Sequence, residues 1–436
     1  MSRSLLVHTA LSSAAVASVL LTGCDPICTN GVSKPGQGQV TRSASGTCVQ
    51  LVVSRPDAGD EDAGTDGGDG GGLPDAGTED GGVCGAGRGW RTHVLDEGIN
   101  SLTSTFLFDA QGVGHFAYAK GLDLYVGTTR PGDTPSRLGE AWAAIDVHMA
   151  VAPDGTHHVL YQQGEHAGYA TDARGTWDFN ILGRFWARAV ALDAQGQVHV
   201  LIAQPAPQVG YLHAFKASNG AWLMPPLEEL GEVGDRERMA VDANGHLHIV
   251  FARGYGSTSQ VHYASNASGT WVVEPLDWQV PIGSPRLRIA LEVDSTGRPS
   301  LLGSDNQGAW LWVREDSGWK PYGMGAFRSR GPALSRDPYS PDIRNALLDD
   351  ADANTNGSTS QLSVKTLYGT DIVGSTPPLV LQTLDGGNAF PGLSSIHVDE
   401  QDVLQLAFSY VHYDYPPDGG LPVTTTRGLR YARYCP

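Results

Sequence analysis

Four successive stretches of the sequence deliver arginine pairs: Arg184 and Arg188, Arg236 and Arg238, Arg286 and Arg288, Arg328 and Arg330. Guanidinium groups gathered from separate segments hold carboxylate or sulfate through bidentate hydrogen bonds, so Arg188, Arg238 and Arg288 are the expected contacts of an acidic ligand. Neighbouring acids, among them Glu140, Glu232, Asp235, Glu237 and Glu292, supply the competing arrangement, in which each arginine is tied within the fold. His148 and His397 are expected near the starts of the same segments, beside the arginines. Next to a neutralised uronate, a histidine is a candidate base for eliminative cleavage of a polysaccharide, and these two are the candidates for that role.

A second chemistry is written in "DDADANTNGSTS", Asp349 to Ser360. Asp352, Asn354 and Asn356 followed by Gly357 match the first half of a calcium loop, which alternates oxygen ligands and then turns. Asp350 and Ser360 extend the oxygen set, but the closing acid is absent, so the stretch reads either as a Ca2+ site or as a polar hairpin tip. Histidines recur as well: His115, His158, His199 and His248 each lie three residues after a turn glycine, with Ser300 and Gln405 in the same place elsewhere. Set among Val, Ile, Leu and Phe and repeated from unit to unit, they read as architectural, with a ring nitrogen bonding a neighbouring turn.

The elements that carry these residues are repeats. "RMAVDANGHLHIVFARGYGSTSQVHYASNASGTWVVEPL", Arg238 to Leu276, holds four short segments rich in β-branched and aromatic residues, separated by Gly, Asn, Asp and Ser turns. The first-turn glycines Gly112, Gly155, Gly196, Gly245 and Gly297 are spaced 43, 41, 49 and 52 residues apart. Asp402 takes the glycine's place 105 residues after Gly297, two steps on, which leaves a degenerate copy around Pro332 to Leu384 and makes seven units. Trp177, Trp222, Trp271 and Trp319 mark the same period, each after a glycine turn, and are expected to plug between neighbouring units. Four-stranded antiparallel units that cannot bury both faces alone fit an all-β, seven-bladed β-propeller.

The chain before the repeats is an address and a tether. Arg3, the apolar run Leu5 to Leu21 and "LTGC" ending at Cys24 resemble the bacterial lipoprotein signal, which implies a signal peptide over residues 1–23 and an acylated Cys24. The protein is then anchored through membrane lipid without spanning the bilayer, at the cell envelope and on the outer membrane or cell surface sooner than the inner membrane. Residues 24–54 form a small N-terminal segment, and residues 55–83 an Asp/Gly-rich linker with almost no apolar side chain. Such a segment cannot bury enough surface to offset its ordering entropy, so it reads as a solvated tether. Between Cys24 and Val83 ten acids face three bases, and with Arg3 the only charge ahead of them, residues 84–436 carry −12 of the total −18. An acidic domain on an acidic stalk excludes nucleic acid as a partner, because phosphates demand a basic footprint.

With Cys24 acylated, four cysteines remain in an oxidising compartment: Cys28, Cys48, Cys84 and Cys435. They allow three pairings. Proximity favours Cys28 with Cys48, and the repeat supplies a reason for the other pair. The last unit, "SSIHVDEQDVLQLAFSY" and "RGLRYARYC", stops after three strands, while "GAGRGWRTHVLDEG", Gly85 to Gly98, has the form of a closing strand placed before any unit. Pairing the N-terminal strand into the last blade closes the ring and puts Cys84 and Cys435 where other blades turn. A disulfide there is expected to contribute about 4 to 5 kcal/mol through loop entropy.

Residues 84–436, the propeller domain, resemble BNR-type, sialidase-like propellers and the seven-bladed polysaccharide lyases at the level of the repeat. The chain departs from their Asp-box, in which three steps separate glycine from tryptophan: Gly175 to Trp177 and Gly269 to Trp271 take two. No sialidase catalytic motif is recognisable, so the resemblance implies a fold and no active-site residue. The expected function is a membrane-anchored, monomeric binding module for an acidic glycan or an envelope protein, with a carbohydrate-active lyase or glycosidase as the alternative.

Overall fold

A computed structural model describes residues 40–42, 48–50, 84 and 89–435, the last span without 100–104, 110, 141–145, 218, 233, 256–257, 282–288, 305–307, 326–331, 337–342, 351–359, 369, 377–378, 382–387, 400–402 and 415–422. Two units divide the chain, Met1–Glu61 and Asp62–Pro436. In the first, Val40–Arg42 and Cys48–Gln50 pair antiparallel. Residues 1–39, with Cys24 and Cys28, lie outside the described residues, as do the tether and the proposed partner of Cys48.

The second unit is a seven-bladed β-propeller of four-stranded antiparallel blades. The strands that open the blades are Thr105–Phe108, Val147–Val151, Trp186–Leu192, Asp235–Val241, Ile289–Val293, Ala333–Arg336 and Asn388–Val398. Each touches the opening strand of the next blade, and the seventh touches the first, so the ring is closed. The degenerate copy is the sixth blade, Ala333 to Leu381, in which Leu379–Leu381 adds a fifth strand against Ser360–Tyr368. In the third blade the last strand shrinks to Trp222–Leu223, and a single 3-10 turn, Glu228–Leu230, carries the chain onward with Leu230 fully buried.

Both faces of each blade are apolar because each is covered by a neighbour. The buried side chains accordingly fall into seven clusters, one at each blade-to-blade interface. The tryptophans occupy them as their period predicts. Trp222 meets Tyr169 of the preceding blade edge-on at 5.0 Å, and Trp319 meets Tyr263 the same way at 5.0 Å. Trp177 and Trp271 likewise pack into the clusters shared with the blade before their own.

The seventh blade is composite. Its strand order is Asn388–Val398, Leu404–Asp414, Val423–Cys435 and then Gly89–Glu97, taken from the start of the domain. Gly89 lies opposite Cys435 and Trp90 opposite Tyr434 in the register. Cys84 and Cys435 are joined, their Cα atoms 5.4 Å apart, at the position where the fourth blade turns through Asn266 to Gly269. At the other end of the added strand Tyr410 donates to Glu97 at 2.5 Å, and Lys120 of the first blade reaches Asp96 at 2.8 Å. The strand that closes the circle is therefore fixed at both ends.

Candidate functional site

Three of the repeated histidines, His115, His199 and His248, are built into a unit that begins with an aspartate, whereas Ala152 holds that place before His158. Asp109, Asp193, Asp242 and Asp294 sit three residues before the turn glycine, and Asp399 holds the same place in the seventh blade. In the first four, Oδ1 accepts the backbone N–H groups two and four residues on at 2.8 to 2.9 Å, which fixes the turn. The glycines that follow, Gly112, Gly196, Gly245 and Gly297, take φ of 74 to 82°, the left-handed region that a side chain would resist. Oδ2 then faces the residue three past the glycine. Asp109 bonds His115 at 3.0 Å, Asp399 bonds Gln405 at 3.0 Å, and Asp193 and Asp242 approach His199 and His248 at 3.5 and 3.6 Å.

On its other side the same residue meets the third strand. His158 meets Tyr169 Oη at 2.6 Å, His199 meets His213 at 2.9 Å, His248 meets Tyr263 Oη at 2.5 Å, and Tyr431 donates to Gln405 at 3.0 Å. These are diagonal cross-strand pairs, two residues from direct opposition. His115 differs in reaching across to His157 of the second blade at 2.9 Å, and His157 passes the chain on to Asp172 at 2.8 Å. Arg344, the second residue of its strand as the histidines are of theirs, fills this position in the sixth blade and points toward Glu292 of the fifth at 3.4 Å.

Burial sets the protonation of this set. It pushes His158 and His213 down to about 4 and lowers His115, His199 and His248. Burial raises the Asp242 carboxyl, but the N–H bonds from His246 and Asn244 and the His246 ring outweigh it and hold it below the usual range. Neutral imidazoles and an ionised carboxylate suit a bonded framework, and each of the four repeated histidines is bonded within the propeller.

Arginines of the expected anion site are also engaged. Arg188 forms an ion pair with the buried Glu237 of the next blade at 3.6 Å, and Tyr211 donates to the same carboxylate at 2.7 Å. Burial and that carboxylate push the Tyr211 phenol far up. Arg238 donates to the Glu237 carbonyl at 2.8 Å, and Arg184 pairs with Glu165 at 2.9 Å. Arg286, Arg288, Arg328, Arg330 and the side chain of Arg236 lie outside the described residues.

The two histidines proposed as bases do not share a place. His148 is the second residue of its opening strand, whereas His397 is the second-last of Asn388–Val398, nine residues from its start. The expectation that His397 lies near a strand start beside the arginines is thus corrected: its ring stacks on Phe108 at 5.4 Å and packs against the turn at Gly112. The long seventh-blade strand, extended upstream of Ser394, moved the start away from it. Of the calcium stretch, Asp352, Asn354 and Asn356 lie outside the described residues, as do the side chains of Asp350 and Ser360. Among the described residues no three His, Cys, Asp or Glu side chains form a metal-holding group.

Two features escaped the sequence reading. The turn aspartate stands in "DAQG", "DANG" and "DSTG" at a fixed step before glycine, a second periodic mark of the same turn. At the start of the third blade the arginine period marks Arg184, but nothing periodic marks Trp186, which is exposed, or Glu165 of the second blade, which pairs with Arg184.

No protein-family model matches the chain, and no curated protein matches it. Solved structures do. A polysaccharide lyase, the PL25 ulvanlyase bound to -[GlcA(1-4)Rha3S]-, is 11 % identical over 76 % of this chain and 94 % of its own, with a TM-score of 0.45. A protein of unknown function from Dyadobacter fermentans is 13 % identical over 78 % and 98 %, at 0.41. The N11 neuraminidase-like protein of an influenza virus from a flat-faced bat is 10 % identical over 66 % and 87 %, at 0.38. These likenesses concern the fold, and neither substrate nor site residues carry over at such identity.

Proposed function

We propose that the protein is a lipid-anchored envelope module that binds a glycan or protein partner without turning it over. The observation that carries this reading is the bonding of the repeated histidines and of Arg188 within the fold, with the candidate base His397 stacked on Phe108 against the Gly112 turn. His115, His158, His199 and His248 are bonded within or between blades, and Arg188 is tied to Glu237 beneath Tyr211. General-base catalysis needs a base within reach of a substrate proton, and these rings face turns and neighbouring strands instead. The lipoprotein-like segment ending at Cys24 and the acidic tether that follows support presentation away from a membrane.

Two measurements test it. Radiolabelled palmitate supplied to expressing cells is incorporated into the full chain and lost in Cys24→Ser. Electrophoresis of the full chain through gels cast with neutral or uronate-containing polysaccharides, run beside sedimentation with envelope fractions, shows retention by at least one of them. Free migration in every gel together with no sedimentation contradicts a binding role.

A further inference from the structure

Trp186 opens the first strand of the third blade and is 38 % exposed, whereas Trp278 and Trp312 are 2 % and 5 % exposed. Its backbone is gripped from both sides by one fully buried amide. Gln162 Nε2 donates to the Phe185 carbonyl at 3.3 Å, and the Ala187 N–H donates to Gln162 Oε1 at 2.7 Å. The same Nε2 also faces the carbonyls of Gly164 and His166 at 2.8 and 3.2 Å, which draws that turn of the second blade against the strand carrying Trp186. On the turn, Glu165 pairs with Arg184 at 2.9 Å, with side chains 66 % and 63 % exposed. A bulge between Ala187 and Ala189 then directs Arg188 away to Glu237.

An exposed tryptophan thus stands on a fixed backbone, two residues along the chain from Arg184 and on the strand held against the turn that carries the partner of Arg184, Glu165. We propose that this rim is a binding site for neutral saccharide, an inference that rests on the binding-module reading above. The C–H face of a pyranose ring stacks on the indole, and adjacent hydroxyls accept from Arg184 and donate to Glu165. The pair has no net charge, so it matches uncharged hydroxyls; a uronate or sulfate would meet the Glu165 carboxylate. The Gln162 grip lowers the ordering cost of binding because the plate and its polar neighbours are already in place. The preferred ligand is therefore neutral, in contrast to the acidic glycan that the arginine spacing alone points to.

The test uses the full chain with cellohexaose, xylohexaose, mannohexaose and chitohexaose as neutral probes and trigalacturonate as the acidic one, read by tryptophan fluorescence and calorimetry. At least one neutral probe binds, Trp186→Ala weakens it by about tenfold or more, and Trp186→Phe stays within about threefold because it keeps an aromatic face. Glu165→Gln and Arg184→Ala each weaken it by about three- to tenfold through the lost hydroxyl contacts, with melting temperatures near wild type. Neutral-probe affinity unchanged in Trp186→Ala overturns the site and leaves the binding-module reading standing. Binding of trigalacturonate alone, or of no probe, also overturns it, and the gel and sedimentation measurement then decides that reading separately.

Discussion

Cys84 and Cys435 are linked across 351 residues of sequence, and the link stands where the other blades have a hairpin turn. The closing strand Gly89–Glu97 has no covalent neighbour in its own blade except through that bond. Cys84→Ser is expected to destabilise the ring by about 4 to 5 kcal/mol through loop entropy. Chemical denaturation under non-reducing conditions measures this. Peptide mapping that joins Cys84 to Cys28 or Cys48 would contradict the closure.

Glu237 is a buried carboxylate shared by Tyr211 and Arg188. Removing it strands a guanidinium and a phenol, so Glu237→Ala is expected to cost about 3 to 5 kcal/mol. Arg188→Ala in the same chain removes the stranded cation, and the double variant should lose less than the two single losses summed. Additive losses in a double-mutant cycle would show that the two do not interact.

The turn aspartates should differ among themselves. Asp242 is buried and takes two turn N–H groups, the His246 ring and the approach of His248, whereas Asp294 is only half-buried and takes its two turn N–H groups and the Thr296 hydroxyl. Each lost bond to a carboxylate is worth about 1.5 to 3 kcal/mol when its partner stays buried. Asp242→Ala is therefore expected to lower the melting temperature more than Asp294→Ala, and equal losses would contradict the His–Asp framework.

Acid should loosen the ring through its histidines. Burial holds His158 and His213 at about 4 in the folded protein, against an ordinary 6.5. Between those values the unfolded chain binds more protons than the folded one, so stability present above pH 6.5 falls as the pH drops toward 4. Thermal melts at pH 7 and 4.5 should show the loss, with a shallower slope in His213→Phe. A flat profile would mean that the imidazoles are not held neutral.

The blade number and the composite seventh blade were legible in the sequence because the repeat imposes its turn chemistry at a fixed period, and a fourth strand before the first unit has only one place to pair. The plugging role of Trp222 and Trp319 followed from the same period. Arg344 was illegible because the sixth blade lacks the glycine that marks the position, and His397 was misplaced because strand length does not show in the turn spacing. The arginine pairs looked like one site because spacing records where residues start a strand. It does not record that a buried Glu237 in the next blade, or Glu165 across a turn, already faces them. Trp186 had no repeat to mark it, and the backbone on either side of it is fixed by Gln162 in another blade.

On the binding-module proposal the repeated histidines and Arg188 hold the propeller together while the protein binds without turnover. That proposal is tested most directly by incubating the full chain with uronate-containing and neutral polysaccharides that it retains. Product is followed by absorbance near ~230 nm for unsaturated ends and by reducing-end assay for hydrolysis. Retention with both signals flat is the predicted result; a steady rise in either, lost in His148→Ala or His397→Ala, would contradict it.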